Sequence, residues 1–152
     1  MYASRRLLSL LIALALMVVA PATVFGGTSC RNINATGVGQ DMGGGQTVGQ
    51  ISDGGLLQGT TAASFSITGI SGTVASFAGP ITFTTNRATL TANLVGTLDV
   101  VSGVFSAASS SISGTGKLAG ATGSLSFSGV ENLATGAFTD VVSGSICVDL
   151  AP

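Results

Sequence analysis

The chain has 152 residues, 23 of them glycine, with no histidine, no tryptophan, 7% charged residues and a formal net charge of −1. Without histidine there is no Ser-His-Asp triad and no imidazole-based metal site, and two distant cysteines cannot hold zinc alone. Five scattered basic residues make no phosphate-binding patch, which excludes nucleic acid as a partner.

The chain opens with Arg5 and Arg6 ahead of the apolar run "LLSLLIALALMVVA", followed by the small residues of "APATVFGG". That order is a secretory signal peptide over residues 1–22, a helix that is cleaved off between 22 and 27. The run is shorter than the roughly 20 residues a permanent helical anchor needs, and nothing later could span a bilayer as a helix. Lipidation of Cys30 is disfavoured, because the preceding "GTS" lacks the large aliphatic residue of a lipoprotein motif. Removing the signal leaves Arg31, Arg87 and Lys117 against six acidic residues, a net charge of −3. The expected location is secreted or periplasmic.

Residues 23–55 are expected to hold the first strand, near 30–36, and a Gly/Gln-rich loop. The stretch "GVGQDMGGGQTVGQISDGG", Gly37 to Gly55, is almost free of large apolar residues and reads as a loop or a loosely held edge segment. It lacks the Gly-Lys-Ser/Thr ending of a nucleotide-binding loop. Asn34, Ala35 and Thr36 form a glycosylation sequon, relevant only in a source that glycosylates. Cys30 and Cys147, near the two ends of the mature chain, read as a disulfide in an oxidising compartment. A catalytic thiol would have no histidine to activate it.

Residues 56–152 form the main part of a single all-β domain. Short runs of Thr, Ser, Val, Ile, Leu and Phe alternate there, broken by glycine about every ten residues. In "ATLTANLVGTLDV" Leu90, Ala92, Leu94, Leu98 and Val100 share one face, while Thr89, Thr91, Asn93, Thr97 and Asp99 share the other. Ile81 with Phe83, Leu125 with Phe127, and Phe138 with Val142, Ile146 and Val148 repeat the pattern. Strands are predicted near 57–70, 73–78, 80–86, 88–101, 104–113, 121–131 and 136–149, which with the first makes eight. Phe65, Phe77, Phe83, Phe105, Phe127 and Phe138 supply the core's aromatic bulk, and a barrel would bury them while removing sheet edges.

In "SGTGKLAGATGSLSFSG" Gly114, Gly116 and Gly120 give G-x-G-x-x-x-G, one residue longer than the dinucleotide fingerprint. A fingerprint also needs a helix behind it, whereas "ATGSLSFSG" alternates like a strand. Gly114, Gly116, Gly120 and Gly123 are therefore read as a tight turn folded against a barrel end. Together with "TGAFTDVVSGSI", this stretch resembles the C-terminal half of the allene oxide cyclase and dirigent barrel-like superfamily, in particular its small bacterial secreted members. The resemblance covers about Leu90 to Leu150. It implies an eight-stranded antiparallel calycin-like barrel, a lipophilic lumen, chemistry without a cofactor, and in plant relatives a trimer, so that a homo-oligomer is admitted. No catalytic position of the family maps onto this chain.

Only carboxylates remain for proton chemistry. Asp140 shares parity with Phe138 and Val142 and so can face the lumen, although a strand-end residue bonded to a neighbouring turn is its more ordinary role. Asp99 is expected to face water. Glu131, the only glutamate, suits a hairpin loop better than a cavity wall. Asp140 and Glu131 are thus the catalytic candidates. Arg87 reads as a turn residue and Lys117 as a solvated tip. Three functions compete: a non-enzymatic barrel binding a small apolar ligand or surface partner, or serving as an extracellular structural module; a cofactor-free isomerase or cyclase acting on a lipophilic substrate; and an adhesive matrix protein.

Overall fold

The computed structural model describes residues 27–53 and 55–149, so the expected signal helix and its cleavage site lie outside the described residues. The fold is all-β. Strands β1 (Thr28–Gly43), β2 (Gln46–Ser52), β3 (Gly59–Ser64), β4 (Ser66–Ser71), β5 (Val74–Thr84), β6 (Thr89–Asp99), β7 (Val104–Gly114), β8 (Thr122–Glu131) and β9 (Ala137–Asp149) follow one another through the chain. All pairings are antiparallel. Sheet order β3-β2-β1-β9-β8-β7-β6-β5, with β3 paired back onto β5, closes an eight-stranded up-and-down barrel; β4 is an extra strand on β5.

The predicted alternation is the physical basis of the closure. Ile33 and Ala35, Ile81 and Phe83, Leu90, Ala92 and Leu94, Leu125 and Phe127, and Val142, Ile146 and Val148 all point inward and are buried, while Thr, Ser and Asn take the outer face. Val100 departs from this pattern: it follows the end of β6 and is exposed in the turn to β7.

Gly37 to Gly55 is mostly ladder rather than loop. β1 runs on to Gly43, and β2 pairs with it from Thr36↔Ser52 to Gly43↔Gln46. Glycine does not prevent pairing when neighbours on both sides supply hydrogen bonds, and the turn itself is confined to Gly43, Gly44 and Gly45, all at positive φ. The two strands expected at 73–78 and 80–86 are one, β5. Pro80 falls where β5 changes partner from β4 to β3, a gap in the ladder where its missing N–H is not needed. Conversely, the single strand expected at 57–70 is divided at Phe65 into β3 and β4, and the Phe65 N–H bonds to Gly45 O at 2.8 Å, beside the β1–β2 turn.

One end of the barrel is plugged. Two short 3₁₀ turns, Gly55–Leu57 and Gly116–Leu118, place Leu57 and Leu118 in the lumen, at 0% and 1% exposure, beside Phe83, Leu90 and Ile146. The glycine motif serves this plug. Gly116 (φ 57°) and Gly120 (φ 72°) take left-handed conformations, and a Cβ at Gly114 would strike the Leu118 backbone. Gly123 is not part of the turn: it lies within β8 at φ 135°, where a Cβ would run into Ser145 O. Gly120→Ala should cost about 1–2 kcal/mol in urea denaturation, the left-handed penalty alone, because no atom lies within 4 Å to clash. Asn at that position should recover part of the loss.

Cys30 and Cys147 are register partners on β1 and β9 and form a disulfide across the first and last strands. Among the described residues no helix is long and apolar enough to cross a membrane.

Candidate functional site

The other end of the barrel is open. Its rim is made of the β1–β2, β6–β7 and β8–β9 turns and the β4–β5 hairpin. Asp99 closes the β6–β7 turn: Oδ1 accepts from the N–H groups of Val101 (2.9 Å) and Ser102 (2.8 Å), and Oδ2 accepts from the Thr73 hydroxyl (2.8 Å). These bonds, led by Ser102 and Thr73, hold its carboxyl down at about 2. Asp99 is a turn residue, as its outward parity implies.

Behind the rim lies a cavity of about 580 Å³, lined by Phe65, Phe77, Phe105, Phe127 and Phe138 and floored by Ile81 and Leu94. Phe127 is buried, with its ring stacked 6.2 Å from that of Phe83 below. The other four rings are only half-buried, so they form a wall rather than the filled core expected of them. Phe65 meets Phe77 at 5.0 Å, and Phe105 meets Phe138 edge-on at 6.2 Å, separations at which aromatic pairs attract.

Room for these rings comes from glycines directly opposite them. Phe138 pairs with Gly39, Phe77 with Gly96, and Phe105 with Gly129. In each case a Cβ on the glycine would strike the ring, so each phenylalanine lies down across a strand that has no side chain there. Each ring is thereby kept near the wall, and the lumen stays open.

Asp140 occupies the same wall. Its cross-strand neighbours are Gly37 on β1 and Gly129 on β8. The carboxylate leans over Gly37, where a Cβ would collide with Oδ1. Oδ1 is buried and has no hydrogen-bond partner. The turn bond expected for a strand-end aspartate does not exist, because both flanking positions are glycine and the side chain points into the lumen. Burial without compensation raises the carboxyl to about 6.

Glu131 is the last residue of β8, paired with Phe138, and it lines the cavity rather than a hairpin loop. Its position follows from parity with Leu125 and Phe127, which the turn-like sequence "GVENLATG" obscures. Burial, then the negative charge of Asp41, holds its carboxyl above the usual glutamate range. Asp41, which the loop reading hid, also faces the cavity, and its Oδ1 accepts from Gly43 N–H at 2.7 Å.

Asp41, Glu131 and Asp140 thus share one pocket, drawn together from β1, β8 and β9. Among the described residues no three His, Cys, Asp or Glu side chains come together as a metal site. Arg87 and Lys117 are exposed at the plugged end, far from this chemistry, as turn and tip residues. The arrangement can hold an apolar body against the rings and offer it an unpaired carboxylate. No family model matches the chain, and neither a curated protein nor a solved structure matches it.

Proposed function

We propose that the protein is an extracytoplasmic binding protein that holds a small apolar ligand in the open end of its barrel. The cavity carries this reading: its volume lies within the roughly 300–1,000 Å³ of small-molecule sites, and its lining is mainly aromatic and aliphatic. Ile67, Ile70, Val100, Val101, Val104 and Leu133 stand exposed around the mouth, an apolar rim that eases the approach of such a ligand. The N-terminal signal pattern and the disulfide support an oxidising, extracytoplasmic location. A lipophilic lumen is also what the resemblance to the allene oxide cyclase and dirigent superfamily implies, and membership in it belongs to the same proposal.

The test is direct. The mature chain contains no tryptophan or tyrosine, so a fluorescent apolar probe such as N-phenyl-1-naphthylamine is read against a dark background. The probe should brighten with saturable binding. Ala107, on β7 in the cavity wall, should lose roughly tenfold or more in affinity when replaced by Phe, with little change in melting temperature, because the new ring occupies the space a ligand needs. Absence of saturable binding to the wild type would end this reading.

One observation favours a second reading, a cofactor-free isomerase or cyclase. An unpartnered carboxyl near 6, inside an apolar cavity, suits a general base at neutral pH. A ligand co-purified with the protein and returned to it in deuterated water should then exchange a carbon-bound proton with the wild type and not with Asp140→Asn.

A further inference from the structure

We infer that the ligand of this cavity carries a positively charged nitrogen, so that the barrel takes amphiphilic amines, with the apolar body among the phenylalanines and the ammonium group against Asp140. This rests on the binding reading above and narrows it to a chemical class.

The first support is the isolation of Asp140. A buried carboxylate is tolerated when a cation or several donors face it. Here Gly37 and Gly129 flank it on both neighbouring strands, so no lateral side chain can answer it, and Oδ1 is left without a bond. The Asp140 side chain itself lines the cavity, with Oδ1 packed over Gly37.

The second support is the distribution of charge along the barrel. Among the described residues every basic side chain lies at the plugged end: Arg31 near the start of β1, Arg87 in the β5–β6 turn and Lys117 in the Gly116–Leu118 turn. Asp53 and Asp149 are at that end too. Asp41, Asp99, Glu131 and Asp140 are all at the mouth, and three of them line the cavity. From Arg31 to Asp41 the chain travels about 30 Å along one strand, well beyond the Debye length of about 8 Å in physiological salt. The mouth therefore carries an acidic field that no basic side chain among the described residues neutralises.

Chemistry then selects among ligands of similar shape. A carboxylate head would meet three carboxylates and no cation. A hydroxyl head could bond to Asp140 but would leave the charge in place. An ammonium head answers the charge, and the phenylalanine faces that hold its apolar body also attract a cation.

Calorimetric titration at about pH 7.5 with octylamine, 1-octanol and octanoate reads this selection, since an alkylamine is protonated there as lysine is. Octylammonium should bind the wild type at least roughly tenfold more tightly than octanol, and octanoate more weakly than either. Asp140→Asn should bring octylammonium down to the octanol level while octanol affinity stays as it was, which also verifies that the pocket is intact. Glu131→Gln should produce a smaller loss of the same kind. Octanol binding as tightly as octylammonium, octanoate binding best, or Asp140→Asn weakening amine and alcohol equally would each overturn the inference while leaving the apolar-ligand reading in place. Failure of all three ligands to bind would overturn both.

Discussion

Cleavage of the Cys30–Cys147 bond should lower the melting temperature by roughly 10 °C or more, the largest stability effect expected from any single covalent change in this protein. The bond ties residues 117 apart in sequence and joins the first strand to the last. Closing a loop of about 100 residues removes on the order of 4.7 kcal/mol of unfolded-chain entropy in the polymer model, and measured native disulfides fall at about 2–5 kcal/mol. The location adds to the effect, because β1–β9 is the long seam of the barrel, paired continuously from Thr28↔Asp149 to Gln40↔Ala137. Calorimetry of the oxidised protein, the reduced protein and the Cys30→Ser/Cys147→Ser double variant checks it. Below the lowered transition the variant should still bind an apolar probe, since the bond lies at the plugged end and the cavity at the other. An unchanged melting temperature would mean that the seam holds without it.

Asp140→Asn should stabilise the protein at about pH 7.5 by on the order of 1–2 kcal/mol and leave it unchanged at about pH 3.5. The sign follows from burial. The folded-state carboxyl titrates at about 6 against an ordinary 3.8, so folding favours its protonated form. Its neutral form is therefore no burden below 3.8, and the penalty grows as pH rises from 3.8 through about 6, where the folded group finally ionises. Asparagine keeps the shape and never ionises, so it escapes the penalty. The magnitude is held below the full linkage value because water still reaches part of the group. Glu131 is shifted in the same direction, and the difference between wild type and Asp140→Asn isolates Asp140 from it. Paired urea denaturations at the two pH values measure the effect; a variant less stable than wild type at about pH 7.5 would show that the carboxylate has a partner in the folded protein. Stabilisation by removal is a signature of a site kept for binding or chemistry at the expense of stability.

The parts of the barrel that were legible in the sequence are those where residue type and period agree. Leu90, Ala92 and Leu94, or Leu125 and Phe127, alternate with Thr and Ser so regularly that the strand and its inward face follow directly. The pairing of Cys30 with Cys147 needed only the compartment and the count of two. The glycine motif was legible as a turn against the barrel end, and its lodging of Leu118 in the lumen gives that turn its purpose. Between Gly37 and Gly55 the strands are hidden, because glycine reads locally as a breaker. In a ladder satisfied on both sides, Gly37, Gly39 and Gly49 are spacers whose missing side chains are used by Asp140, Phe138 and Thr61 across the strand. Glu131 was misplaced for a related reason, since a residue beside a turn can still belong to the last inward position of its strand.

The sequence by itself determined that this chain is a β protein with an apolar inner face, one disulfide, no histidine chemistry and carboxylates as its candidates for proton chemistry, since these follow from composition and a period of two. Only the tertiary structure decided which inward positions face a filled core and which face an open lumen. That depends on cross-strand register, which sets Gly39 opposite Phe138, Gly96 opposite Phe77, and glycines on both sides of Asp140. Register is a property of strand pairs far apart in the chain, and no local pattern encodes it. Three acidic residues from β1, β8 and β9 thereby become one pocket with an unanswered charge.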